Sequence, residues 1–181
     1  LGVPEKNMVT TGNLKFDQNV DSVSQETIDL LKQRLKIQPF QSILLAGSTH
    51  AGEELVLLDA FAKLKQHFPE LVLIIAPRNV ERAGAVLKLA SSKGFSCYLS
   101  EKLSGKIELS GPDVIVVEVM GVLKKLYALA DIAFIGGSLV NKGGHNPLEA
   151  ASYAKQLLFG DCMSDLKEIS QMLVSSGGAQ F

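Results

Sequence analysis

Along this chain, short apolar runs alternate with stretches in which apolar residues recur at every third or fourth position. The runs at 42–46, 71–76, 95–99, 114–117, 132–135 and 156–159 predict short buried strands. Between them lie amphipathic segments. The first is capped by Ser24, carries Ile28, Leu31 and Leu35 and stops before Pro39; it is expected to pack on a sheet. The next follows residues 47–54 and turns Leu55, Leu58, Phe61, Ala62 and Leu64 inward. Further helices are expected over 80–91, over 121–130 with Leu123, Leu126, Tyr127 and Ala130 inward, from Pro147, and over 164–173. Strand then helix, repeated, predicts an α/β fold: a Rossmann-like parallel sheet with helices on both faces. Residues 1–22 read as a linker with a short strand at 8–10, leading into a domain over 23–181, and 100–112 reads as a loop around an edge strand.

One stretch stands out, DIAFIGGSLVNKGGHNPLEAA at 131–151. Its strand stops at Gly136-Gly137, and its loop ends at Asn146-Pro147-Leu148-Glu149, where Asn suits an N-cap, Pro the first helical position and Glu a reach back to the cap. Strand, glycine loop and helix start in succession leave N–H groups free beside a positive dipole end, a setting for phosphate and sugar. The same residues serve equally well as a capped helix start with turn glycines. The spacing is neither that of a dinucleotide-binding glycine fingerprint nor that of a Walker loop, which argues against NAD and against ATP hydrolysis of that type.

Ligands of open parallel sheets bind beyond the carboxyl ends of the strands. The exits at 46/47, 76/77, 117/118 and 135/136 are therefore expected to converge. Arg78, just after Pro77, can clasp a phosphate through two hydrogen bonds, or form a surface salt bridge. Met120, Gly121 and Val122 offer main-chain groups to a base or phosphate, or simply start a helix. Glu149 can accept two hydrogen bonds from a vicinal diol. Ser138, Lys142, Gly143 and Gly144 are candidates for phosphate or sugar contacts, and His50 and His145 for a carboxylate or phosphate; solvation of Lys142 and ordinary loop structure around the histidines stand beside these.

Composition narrows the field. With 18 Lys and Arg against 19 Asp and Glu, nothing points to nucleic acid as the main partner. Cys97 and Cys162 form no C-x-x-C pair, and His50, His67 and His145 lack metal-ligand spacing, so neither a metal nor another cofactor is expected. Cys162 has no neighbouring base to make it a nucleophile. The apolar runs fall far short of the ~18 residues a membrane helix needs, so a soluble piece is expected. The chain opens without Met and closes on GGAQF with no clear terminal element, as expected of a fragment.

The run GGSLVNKGGHNPLEAA at 136–151, with STHAGEE at 48–54, PRNVERAG at 77–84 and TGNLKFD at 11–17, resembles the bacterial Kdo (3-deoxy-D-manno-octulosonic acid) transferases of lipopolysaccharide synthesis. The motifs occur in the family's order over nearly the whole chain. The resemblance implies the C-terminal, CMP-Kdo-binding half of a GT-B glycosyltransferase that moves Kdo to a lipid A precursor at the cytoplasmic face of the inner membrane. It implies CMP contacts at Pro77, Arg78, Met120, Gly121, Val122, Asn146, Pro147, Leu148 and Glu149, and donor contacts among Ser48, Thr49, His50, Gly137, Ser138, Lys142, Gly144 and His145. The general base, a glutamate, and the membrane-associated segment belong to an N-terminal part not present here. Asn79 and Val122 depart from the family's usual histidine and glutamate, and 160–165 departs from its usual last loop. A nucleotide-binding module without turnover, and a GT-B enzyme using another nucleotide sugar, are the alternatives.

Overall fold

The computed structural model describes residues 2–9, 22–102 and 111–181. Among these residues seven strands form one parallel sheet: β1 (Ile43–Thr49), β2 (Val72–Pro77), β3 (Cys97–Leu99), β4 (Val114–Val116), β5 (Ile132–Ile135), β6 (Gln156–Leu158) and β7 (Ala179–Gln180). Their order across the sheet is β3-β4-β2-β1-β5-β6-β7. The helices are α1 (Gln25–Arg34), α2 (Glu53–Lys65), α3 (Ala83–Ser92), α4 (Leu123–Leu129), α5 (Leu148–Ala151) and α6 (Lys167–Ser175).

Side chains alternate across the sheet and fill two separate cores. Ile43, Leu45, Val72, Ile74, Ile115 and Ile135 face α4 and α6, where Leu126, Tyr127, Leu129 and Ile169 meet them. Leu44, Ala46, Leu73, Ile75, Val116 and Phe134 face α2 and α3, meeting Leu57, Leu58, Phe61 and Val86. Burial on both faces explains why the strands read as continuous apolar runs. Asp131 fixes the start of two central strands, its carboxylate accepting the N–H of Ile43 at 2.8 Å.

Several expectations need correction. β1 runs past Ala46 to Thr49, because pairing with β2 carries it through polar residues, with a register shift between Gly47 and Thr49 and Ser48 at φ 56°. Leu55 and Ala62 lie on the outer face of α2; the inner face is Glu54, Leu57, Leu58 and Phe61, the i, i+3, i+4, i+7 row. The Ser24 hydroxyl does accept the N–H of Thr27, but α1 packs against α4, with Ile28 reaching the core. A 3-10 turn at Val80–Arg82 precedes α3 and another at Ser164–Leu166 precedes α6. The chain end adds a strand: Ala179–Gln180 pairs with β6, and the Phe181 ring packs edge-on against Phe159. Met8 and Val9 are in no strand. Thr10, the motif at 11–17 and most of the loop expected at 100–112 lie outside the described residues.

Candidate functional site

β1 is the centre of the arrangement, because its exit leads to α2 on one face while its neighbour β5 leads to α5 on the other. Such a reversal opens a crevice beyond the strand ends. The two strands approach so closely there that a side chain at Gly136 would collide with the Ser48 carbonyl, and α4 lies so near that one at Gly47 would collide with the Tyr127 hydroxyl. The Gly136 N–H donates to the Gly47 carbonyl at 2.8 Å, continuing the ladder.

Beneath this junction lies Glu53, 0% exposed. Its Oε2 accepts the N–H groups of His50 and Gly137, both at 2.8 Å. Its Oε1 accepts those of Ser138 and Leu139, both at 3.0 Å. A carboxylate has lone pairs for four such donors, and burial strengthens each bond. Beside it Glu54, also buried, takes both guanidinium nitrogens of Arg82 at 2.7 and 3.1 Å, and accepts the Thr49 hydroxyl at 3.0 Å. The hydrogen bonds it donates to Glu54 hold the Arg82 guanidinium above its ordinary value, against desolvation.

These bonds occupy part of what the sequence offers to a ligand. Gly137 and Ser138 are among the expected donor contacts, and their N–H groups meet Glu53. Ser138 is fully buried, its hydroxyl donating to the Ile135 carbonyl and accepting the Gly160 N–H. Thr49 is fully buried on Glu54. The Gly144 N–H donates to the Gly137 carbonyl and that of His145 to Gly136, closing the loop on itself. Ser138, Thr49, Gly137 and Gly144 therefore hold the loop's shape. Nor does α5 supply a strong dipole: it is one turn long, with the Asn146 side chain accepting the Leu148 N–H at 3.1 Å. Among the described residues no bond from the Glu149 carboxylate back to the cap is formed; Glu149 acts on Tyr127, whose phenol is pushed up, first by burial and then by that charge.

What remains for a ligand sits above this support. His50 and His145 stack with ring planes 7° apart and Nε2 atoms 2.8 Å from each other. Burial, His50 and Arg78 hold the His145 imidazole below its ordinary value, Glu53 opposing them. Arg78 emerges from β2, its N–H bonded to the Thr49 carbonyl, and its exposed guanidinium makes no ion pair among the described residues. It borders a recess of about 130 Å³ that also involves Ser48, Pro77, Met120, Gly121 and Val122. Three strand exits thus meet at one cavity, walled by aliphatic residues such as Val80 and Val117. Met120 is 66% exposed at its rim. Lys142 is exposed on the glycine loop, Pro147 is buried, and Asn146 and Leu148 are half-buried.

The sequence reading missed Glu53 and Glu54 as supports and Arg82 as their partner. The signal was present: two adjacent carboxylates opening α2, with an apolar i+3, i+4, i+7 row running on from Glu54. The arrangement offers an anion a guanidinium unpaired among the described residues and two imidazoles beside an aliphatic recess. Among the described residues no group of three or more His, Cys, Asp or Glu side chains is placed to hold a metal ion, and no helix is long and apolar enough to cross a membrane.

No protein-family model matches the chain. The chain is similar to a 3-deoxy-D-manno-octulosonic acid transferase of Haemophilus influenzae, 34% identical over 178 residues, covering 98% of this chain and 41% of that protein. It is similar to the transferase of the same name from Aquifex aeolicus, 32% identical over 172 residues, covering 95% and 43%. A bifunctional glycosyltransferase/methyltransferase of Fusobacterium nucleatum is 34% identical over 174 residues, 96% of this chain and 26% of that protein. The chain thus spans less than half the length of these relatives. Among solved structures, the C-terminal CMP-Kdo binding domain of WaaA from Acinetobacter baumannii matches with a TM-score of 0.74 and 26% identity, over 84% of this chain and 78% of that one.

Proposed function

Because this chain is homologous along nearly its whole length to 3-deoxy-D-manno-octulosonic acid transferases, we propose that it is the CMP-Kdo-binding domain of an enzyme that transfers Kdo to a lipid A precursor at the cytoplasmic face of the bacterial inner membrane. Residues 23–181 form that domain and 1–22 lead into it. The observation that carries the reading is Arg78: an exposed guanidinium, unpaired among the described residues, at the mouth of the recess where β1, β2 and β4 end. Fold alone would license no function; the placement of this cation beside the recess supports one.

In the reaction, an acceptor hydroxyl attacks the anomeric carbon of Kdo while the carbon–oxygen bond to the phosphate breaks, CMP leaving with the electron pair. Charge grows on that phosphate, and Arg78 with the two imidazoles stabilises it. The aliphatic walls and the main chain of 120–122 receive the base, and Glu149 takes the ribose hydroxyls. The base that removes the acceptor's proton comes from a part of the protein outside this chain.

The test is a titration of the chain with CMP, UMP and AMP followed by NMR. CMP alone is expected to shift Arg78, Met120 and residues 146–149, and Arg78→Ala to weaken CMP by about 10- to 100-fold, the range for a lost charge-assisted hydrogen bond. Shifts with UMP and none with CMP would replace the reading with an enzyme using another nucleotide sugar.

A further inference from the structure

We propose that Glu53 is the positioning residue of this site: from inside the fold its carboxylate fills the ring of amides that the glycine loop offers, and thereby sets His145 against His50 beside Arg78. The observation is the division of its two oxygens. Oε2 joins the N–H of His50, on the β1–α2 turn, to that of Gly137, on the glycine loop. Oε1 takes the next two amides of the loop, Ser138 and Leu139. One side chain therefore fixes both segments that carry the imidazoles, and the loop returns to that fixed point through His145 N–H to Gly136 and Gly144 N–H to Gly137.

Two consequences distinguish this from an ordinary buried acid. A glycine loop after a strand is usually a place where amides meet phosphate, yet here three of those amides are bound to an internal anion. A nucleotide phosphate must then be held by side chains above the loop, Arg78 and the imidazoles, and not by the amides of 137–139. Secondly, an Nε2-to-Nε2 separation of 2.8 Å requires one ring to donate and the other to accept. One proton lies between the two Nε2 atoms. The groups acting on His145 are His50, Arg78 and Glu53. The functional consequence rests on the donor-site reading above, whereas the geometry is testable without nucleotide.

Two measurements test it. In the wild-type chain, exchange of the Gly137, Ser138 and Leu139 amides is followed by NMR with and without CMP. Slow exchange from the outset, unchanged by CMP, is expected; exchange that is fast in the free protein and slows only with CMP would assign those amides to the phosphate and overturn the proposal. In Glu53→Gln the carboxamide presents hydrogens of its own to half of the amide ring. The NOE between the His50 and His145 rings, which touch in the wild type, is expected to be lost, and CMP to bind about tenfold more weakly, the equivalent of one modest hydrogen bond. The amide shifts of β2 and β4 are expected to stay as they were. A folded Glu53→Gln in which the two rings keep that contact refutes the assignment. If that variant does not fold, the exchange measurement on the wild type decides. If CMP does not bind at all, that outcome counts against the donor site, while amide exchange and the contact between the two rings still decide the role of Glu53.

Discussion

At the sheet edge the ionisation of His145 depends on its neighbours. Burial, His50 and Arg78 hold its imidazole below the ordinary 6.5, and the carboxylate of Glu53 pulls the other way. The unfolded chain therefore binds the proton more readily than the folded one, so stability rises with pH across that interval. His145's contribution is complete above pH 6.5 and declines as pH falls from there towards the depressed folded value. Melting temperatures of the wild type and His145→Gln, followed from pH 8 to pH 5, are expected to show a steeper acid loss in the wild type. Equal slopes would show that the imidazole is not held neutral by folding. The residue types of this site were legible in the chain: Arg78 after an apolar run, His50 and His145 on motif loops. What each side chain touches was not. Thr49 and Ser138 carry hydroxyls that read as ligand contacts, and both are consumed within the protein, Thr49 by Glu54 and Ser138 by Ile135 and Gly160.

At the scale of the element, α2 shows how far periodicity reaches. Its existence followed from the sequence, but the inner face was misplaced by counting Leu55 and Ala62 into it. The helix carries apolar residues around much of its circumference, so pattern alone does not choose among faces; the sheet does, by burying Leu57, Leu58 and Phe61. Leu58 is 0% exposed and Leu55 46%. Leu58→Ala is expected to cost about 2–5 kcal/mol and Leu55→Ala less than about 0.5 kcal/mol in urea denaturation. Comparable losses for the two would put the helix in the other rotation. Strand ends failed for a related reason. β1 continues through Gly47, Ser48 and Thr49 because β2 supplies partners as far as Pro77, and hydrogen bonding is not written in hydrophobicity.

For the whole molecule, the order β3-β4-β2-β1-β5-β6-β7 places β1, β2 and β5 inside and leaves β3 and β7 at the edges. Amide exchange should follow that order, slowest in β1 and β2 and fastest in the two-residue β7, which pairs only with β6. Equal protection in β7 and β1 would contradict this gradient. The sequence alone determined the class of fold, because a strand buried on both faces must be apolar throughout and a helix on one face must be amphipathic. It also determined which loops matter, since parallel strands joined by helices bring their exits to one edge. Only the tertiary structure decided that the last residues form a strand, that α1 lies on α4, and that the glycine loop is filled by Glu53. Those outcomes depend on pairing between positions far apart in the chain. A carboxylate and an amide separated by some eighty residues leave no local pattern; their bond exists because β1 and β5 are neighbours.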